Sequence, residues 1–210
     1  LEPALWTGIN LARALALAWS VPLIPINHLE AHIFINFLKK SPEKIKFPVL
    51  ALVVSGGHTQ LVLMPKLFKY KTIGETRDDA AGECFDKTGR LLGIDYPAGP
   101  VISKLAEKGD ENFVKFPRPM ISSKDFDFSF SGLKTAVLYY LRDKDKNFIK
   151  RHKKDLAASI QKAIVEVLAS KTLRAAKKYK ARTLILGGGV ASNKLLQKEI
   201  EKIFKTKFSG

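Results

Sequence analysis

The chain has 210 residues, 46% hydrophobic and 27% charged, enough to bury a sizeable core in one large or two small domains. Its formal net charge of +16 and pI near 9.9 favour a polyanionic partner, most simply nucleic acid. A single cysteine, Cys84, excludes an internal disulfide and fits a reducing cytoplasm, and the apolar run Ala12 to Trp19, broken by Arg13, is too short to span a membrane.

Thr7 to Trp19 reads as a nearly all-apolar buried helix, Pro22 to Ile26 as a short strand and Leu29 to Leu38 as a helix. Two of the four histidines, His28 and His32, stand one helical turn apart on one face, where such a pair clamps a single metal ion. Glu30 between them points away from that face. The order His-x-Glu-x-His therefore lacks the base of the H-E-x-x-H zinc proteases. The competing reading is two histidines of a helix surface or core. Ser41 to Phe47 reads as a linker, and the texture changes near Pro48.

Val49 to Val54 is a continuous apolar run, as a fully buried strand requires. Ser55-Gly56-Gly57-His58 is a turn, and Thr59 to Met64 and Leu67 to Ile73 complete an expected three-stranded meander. The turn's glycines let backbone N–H groups approach an anion, although an ordinary hairpin tip has the same composition. No Gly-Lys-Ser/Thr follows, so this is not a P-loop.

Asp79 to Leu92 is expected to be a helix, which would set Asp79, Glu83 and Asp86 on one face. Like charges so placed need a cation, ribose hydroxyls or a lysine, or else serve the helix dipole and a solvated face. Gly93 to Pro100 is a loop and Val101 to Lys108 a short helix. Phe113 to Phe130 is irregular, and Ser131 is a candidate cap for a helix to about Arg142. Asp127 to Thr135 mixes aromatics, hydroxyls, glycine and a lysine at a helix start, fit to cradle phosphate or simply to fill core.

A long amphipathic helix then carries Leu156, Ile160, Ile164, Val167 and Leu168 on one stripe. Thr183 to Leu186 is a strand, Gly187-Gly188-Gly189 a tight turn, and Asn193 to Ile203 a helix. Strand, glycine turn and helix place N–H donors at a sheet edge, a natural nucleotide site, and Asn193 suits a base edge or ribose. Close helix–strand packing explains the same glycines. Basic runs at Lys144 to Lys154 and Lys171 to Arg182 are solvated faces individually and a phosphate-tracking patch together.

The order of these segments is more specific than any one of them. Asn-His-Leu-Glu-Ala-His, Val-Ser-Gly-Gly-His-Thr-Gln, Gly-Glu-Thr-Arg-Asp-Asp-Ala-Ala-Gly-Glu-Cys-Phe-Asp-Lys, Tyr-Pro-Ala-Gly-Pro, Phe-Ser-Phe-Ser-Gly-Leu-Lys-Thr and Gly-Gly-Gly-Val-Ala-Ser-Asn closely resemble the bacterial TsaD family. These are tRNA threonylcarbamoyltransferases, once labelled O-sialoglycoprotein endopeptidases. The resemblance runs from about Leu5 to Phe204.

The resemblance implies an α/β fold of the actin-like, sugar kinase and Hsp70 (ASKHA) class with two lobes. Residues 1–47 would be the C-terminal part of the first lobe, with the metal-binding helix. Residues 48–210 would be most of the second lobe, with the adenylate-binding loops. It implies transfer of threonylcarbamoyl from threonylcarbamoyl-AMP to N6 of the adenosine 3′ of the anticodon, in tRNAs reading codons that begin with A. His28 and His32 would ligate one divalent ion, Fe2+ or Zn2+. Val53, Val54, Ser55, Gly56, Gly57, Asp86, Gly99 and Asn193 would line the adenylate site, where ATP or ADP is also expected. Partners implied are tRNA, TsaB and TsaE, with TsaC supplying the adenylate, all cytoplasmic and without a membrane. Cys84 is read as structural.

Against the family pattern, the N-terminal Glu-Thr-Ser-Cys-Asp-Glu-Thr-type segment and the C-terminal Cys-Thr-Asp-Asn segment are not in this sequence. The expectation is a fragment cut at both ends, inactive alone, with a further metal ligand beyond Gly210. Ala98 stands where the family usually has glycine. A glycoprotein metalloprotease, a small-molecule kinase of the same fold and a non-catalytic nucleotide- or tRNA-binding subunit are the alternatives.

Overall fold

The computed structural model describes residues 2–38 and 45–208. The chain divides into two compact units, Leu1–Ala31 and His32–Gly210. The lobe division expected near Pro48 is a different boundary. Residues 41–44 of the expected linker lie outside the described residues.

In the first unit, α1 (Glu2–Ala18) is a helix as expected, but it is not buried. Leu11 and Leu17 are 60% and 84% exposed. The expected strand Pro22–Ile26 is absent among the described residues, where 21–27 is irregular. Pro22 and Pro25 each lack the N–H that a ladder needs, and no strand among the described residues pairs with this segment. Asn27 caps α2 (His28–Leu38): its Oδ1 accepts from the Leu29 N–H at 2.9 Å and the Glu30 N–H at 3.3 Å.

The second unit is mixed α/β. Strands β1 (Val49–Val54), β2 (Thr59–Lys66) and β3 (Lys69–Glu75) form the expected antiparallel meander. β4 (Thr183–Gly187) adds parallel to β1, giving the order β3-β2-β1-β4. β1 is therefore flanked on both sides, and all six of its residues are buried, which is why it reads as an unbroken apolar run.

Helices α3 (Ala81–Leu91), α4 (Ala98–Ala106), α5 (Ser131–Arg142) and α6 (Lys146–Arg151) follow the meander. α7 (Lys153–Lys178) is the central pillar, packed on α3, α4, β1 and α8 (Lys194–Phe208). It buries more than the one expected stripe. Ala157, Ala163 and Val165 are as buried as Leu156 and Ile160, because neighbours cover it on several sides.

Two local expectations change. Ala80 is extended (φ −70°, ψ 157°) and α3 starts at Ala81, so Asp79 lies outside the helix. The Lys87 ammonium bridges Asp79 at 2.6 Å and Glu83 at 3.0 Å, while Asp86 turns to α4. A lysine thus balances two of the three carboxylates. Ser131 is the first residue of α5, not its cap. The distant Asp78 takes that role, accepting from the Phe130 N–H at 2.8 Å, the Ser131 N–H at 3.3 Å, and the Ser129 and Ser131 hydroxyls.

Candidate functional site

The second unit holds a cleft of about 830 Å³ between α3, α4, α7 and α8. Each wall has a local reason to be there. At the floor, Gly82 in the first turn of α3 lies against the β1–β2 hairpin tip, where an added Cβ would come within 2.5 Å of the Ser55 carbonyl oxygen. The Gly82 N–H donates to that oxygen at 3.2 Å, so α3 is pinned to the tip and Gly56 is presented to the cleft.

On the next wall, Asp86 caps α4. Its Oδ1 accepts from the Ala98 N–H at 2.8 Å, and Asp86, Pro97, Gly99 and Ser103 all line the cleft. One bond leaves a carboxylate with further acceptor capacity. Asn193 closes the opposite side. Its Oδ1 accepts from the Leu196 N–H at 3.0 Å as the α8 N-cap. Its Nδ2 donates to Gln161 Oε1 at 2.7 Å and Ser103 Oγ at 2.8 Å. Both amide hydrogens are therefore committed to the cleft wall, leaving Asn193 to shape the site and to offer only acceptor capacity.

The Gly187-Gly188-Gly189 turn leads into this wall. Gly188 has φ +87°, and a Cβ there would collide with the Val54 carbonyl oxygen. A short 3-10 turn, Gly189–Ser192, carries the chain to α8. Ser192 lines the cleft and also a smaller hollow of about 430 Å³, lined with it by His32, Asn36, Leu186, Gly188 and Gln197. The Asn36 amide donates to the Leu186 carbonyl oxygen at 3.4 Å and so ties its helix to the end of β4.

Of the expected adenylate residues, Gly56, Asp86, Gly99 and Asn193 line the one cleft. Val53 and Val54 are wholly buried in β1, where Val53 pairs with Gly187 and the Val54 carbonyl lies under Gly188. Ser55 closes the hairpin, its Oγ accepting from the His58 N–H at 3.1 Å. Gly57 sits at the open tip, with nothing within 4 Å of where its Cβ would be. His28 and His32 are the first and fifth residues of α2. Among the described residues no group of three or more His, Cys, Asp or Glu side chains comes together to hold a metal ion. The donor set present is two imidazoles one turn apart, which suits Fe2+ or Zn2+ but fills only half of a tetrahedral shell.

Ser103, Gln161, Ser192 and the cleft lysines Lys104, Lys194 and Lys198 were not singled out from sequence. Gln161 carried a usable signal, a polar side chain amid the buried pattern of α7. At the rim, Lys194 pairs with Glu107 at 3.0 Å.

Elsewhere, burial pushes the Cys84 thiol far above its ordinary range, and Asp79 and Asp78 add to it. Its Sγ lies 3.8 Å from the Phe130 carbonyl oxygen, a core position. The basic run Lys171 to Arg182 is divided: Lys177, Lys178, Lys180 and Arg182 are exposed, whereas Lys171 and Arg174 face inward. Lys171 is fully buried, donating to Ser123 Oγ at 2.7 Å with Asp125 at 3.4 Å. Burial holds its ammonium below the usual lysine range. Arg174 donates to the Asp125 carbonyl oxygen, and Lys178 lies over the Phe126 ring.

No helix among the described residues is long and apolar enough to cross a membrane. A family model described as "TsaD: tRNA N6-adenosine threonylcarbamoyltransferase" matches residues 1–209. Relatives carrying the name tRNA N6-adenosine threonylcarbamoyltransferase include that of Chlorobium phaeobacteroides (strain BS1), 47% identical over 207 residues, covering 94% of this chain and 60% of the relative. That of Thermosipho africanus is 48% identical over 200 residues, covering 95% and 59%. That of Pediococcus pentosaceus is 48% identical over 207 residues, covering 98% and 59%. The chain thus spans 59–60% of the length of these curated relatives.

Proposed function

The chain belongs to the TsaD family, and on that premise we propose that the whole protein transfers threonylcarbamoyl from threonylcarbamoyl-AMP to N6 of the adenosine 3′ of the anticodon in tRNAs reading ANN codons. The fold is of the actin-like, sugar kinase and Hsp70 class. In this reading the cleft is the adenylate site and residues 48–210 are most of one lobe. The 1–47 segment, with its histidine helix, belongs to the other.

One observation carries the reading: Ser192 lines both the Asn193 cleft and the His32 hollow. A nucleotide held in the cleft would have the helix of the metal ligands beside it. The adenosine would lie along α4, where Asp86 accepts from ribose hydroxyls and Gly99 allows close approach of the backbone. The glycine turns at Gly56 and Gly189 leave room for the phosphate.

His28 and His32 would hold one divalent ion, whose chemistry when bound is that of a Lewis acid toward a carbonyl oxygen. The chain's own contribution is orientation. Asn193, Gln161 and Ser103 fix the wall against which the adenylate lies, and the apolar side chain of Phe85 helps to exclude water. No nucleophilic side chain is needed, in keeping with a buried Cys84. Transfer would join the adenosine N6 to the carbamoyl carbon, release AMP and pass the N6 proton to solvent or to phosphate.

TsaB and TsaE as assembly partners, TsaC as the source of the adenylate, and a cytoplasmic setting belong to the same proposal. The test is the full-length protein with these partners, threonylcarbamoyl-AMP and an ANN-reading tRNA. Label from threonine is expected in the tRNA. Cleavage of a glycoprotein without tRNA labelling would favour the protease reading instead.

A further inference from the structure

The tRNA reading leaves open which surface of this chain meets the polyanion, and the two basic runs differ. In the second run Lys171 is buried and Arg174 is held by the Asp125 carbonyl, although Lys178, Lys180 and Arg182 are exposed. In the first run and the Arg142 before it, the cations are exposed except Lys153. Arg142, Lys144, Lys146, Lys150, Arg151 and Lys154 are all exposed. Among the described residues, Lys144, Lys146, Lys150, Arg151 and Lys154 have no carboxylate in ion-pair range. The two acids at the start of this stretch, Asp143 and Asp145, are already occupied. Asp143 lies 3.7 Å from Arg142, and Asp145 caps α6, accepting from the Phe148 N–H at 2.6 Å.

This surface is also built, not merely charged. Lys144 lies over the Tyr140 and Phe148 rings, at 5.6 and 5.2 Å, and Phe113 stacks on His152 at 4.8 Å. The aromatic layer fixes α6 on the loop 109–113. The other side of that loop is cleft wall, through Gly109 and Glu111. Gly109 packs on the Lys154 backbone, the Asp110 N–H donates to Asp155 at 2.9 Å, and Lys153 reaches the Gly93 carbonyl at 3.4 Å. Basic surface and cleft thus share one wall. At the edge of the patch Tyr139 is 60% exposed, with the Arg142 guanidinium 5.5 Å from its ring centroid.

We propose that the α5–α6 corner is an RNA-docking surface. Lys146, Lys150 and Arg151 track phosphates, and Tyr139 with Arg142 stacks an unpaired base of a tRNA loop. Cations alone fit any polyanion. An exposed aromatic ring carrying a guanidinium, beside a row of exposed cations, fits single-stranded RNA in particular. The proposal rests on the tRNA reading above.

The test uses the full-length protein with its partners and three variants: Lys146→Ala/Lys150→Ala/Arg151→Ala, Tyr139→Ala, and a charge-matched control, Lys66→Ala/Lys69→Ala/Lys71→Ala, on the exposed residues of β2 and β3. Binding of an ANN-reading tRNA is measured across a salt series, with melting temperatures to confirm folding. The α6 variant is expected to bind about tenfold or more weakly, and its log K against log salt slope to flatten by about 2, three contacts at ~0.7 each. Tyr139→Ala is expected to bind about tenfold more weakly with an unchanged slope. The control keeps wild-type affinity. Wild-type affinity in the α6 variant, or an equal loss in the control, overturns the docking surface alone. So does an α6 variant that loses binding to anionic-lipid vesicles or polyglutamate while its tRNA binding is intact. A wild-type protein that binds no tRNA overturns the tRNA reading itself, and this proposal with it.

Discussion

The Asn193 amide donates to Gln161 Oε1 at 2.7 Å, joining the turn after β4 to the middle of the central helix. Both side chains are buried, at 6% and 7% exposure, so the bond is largely shielded from water and braces the residue that caps α8. Gln161→Leu leaves the Asn193 amide with one partner in place of two. The expected cost is about 1–3 kcal/mol of unfolding free energy. Adenylate affinity falls with it, since the cleft wall loses its brace. Urea unfolding and equilibrium nucleotide binding, measured on the same variant, check both effects.

Gly188 combines a positive φ with a Val54 carbonyl oxygen 2.3 Å from where a Cβ would stand. Gly188→Ala is expected to destabilise the whole protein by about 1–3 kcal/mol from backbone strain alone, with the steric clash in addition. Gly189 has nothing within 4 Å of where its Cβ would lie, and Gly189→Ala is expected to cost far less. Equal losses in the two variants, measured by thermal melting, would contradict the close packing of the turn on β1.

Asp78 gives a pH signature. Burial alone would raise its carboxyl, but hydrogen bonds from Ser129, the Phe130 N–H and Ser131 outweigh it and hold the group below its ordinary value. A folded pKa below the unfolded one means stability fully present above the unfolded value, about 4, and lost as pH falls through the folded value. Because the residue is partly exposed, solvent screens the effect, and about 1 kcal/mol is expected, the usual size of a lost helix cap. Asp78→Asn should lose that amount at neutral pH and show a flatter stability curve below pH 4. Identical acid limbs for variant and wild type would count against the cap.

Cys84 is buried and its thiol is pushed far above the ordinary range, so almost no thiolate forms at neutral pH. Native protein is expected to resist iodoacetamide for hours and to be labelled at this position at once in urea. Rapid native labelling that abolished tRNA modification would place Cys84 in the chemistry after all.

Much of this structure is legible in the residues. The unbroken apolar run of β1, the Gly-Gly hairpin and the strand–glycine–helix of β4 to α8 all stand where their patterns put them, because each is set by local geometry and burial. Four expected adenylate residues, Gly56, Asp86, Gly99 and Asn193, meet in one cleft. What was not legible depends on distant partners. Pro22–Ile26 has the residues of a strand but no neighbour among the described residues to complete a ladder. The carboxylate face of α3 dissolved because Ala80 is extended and Lys87 reaches back to Asp79. Asp78 caps a helix more than fifty residues away, and no local motif announces that. Gln161 stands out as a polar residue in the buried pattern of α7, but its partner Asn193 is set by tertiary packing. The basic runs looked alike, and only tertiary packing separates the buried Lys171 from the open α6.

The cleft as adenylate site is tested most directly by equilibrium binding of a non-hydrolysable threonylcarbamoyl-AMP analogue to the full-length protein and to its Asp86→Ala and Asn193→Ala variants. Circular dichroism and melting curves serve to confirm folding. The expected result is affinity at least about tenfold weaker in each folded variant, through the lost acceptor for ribose hydroxyls at Asp86 and through the loosened cleft wall at Asn193. Wild-type affinity in both folded variants would contradict the assignment and move the adenylate elsewhere.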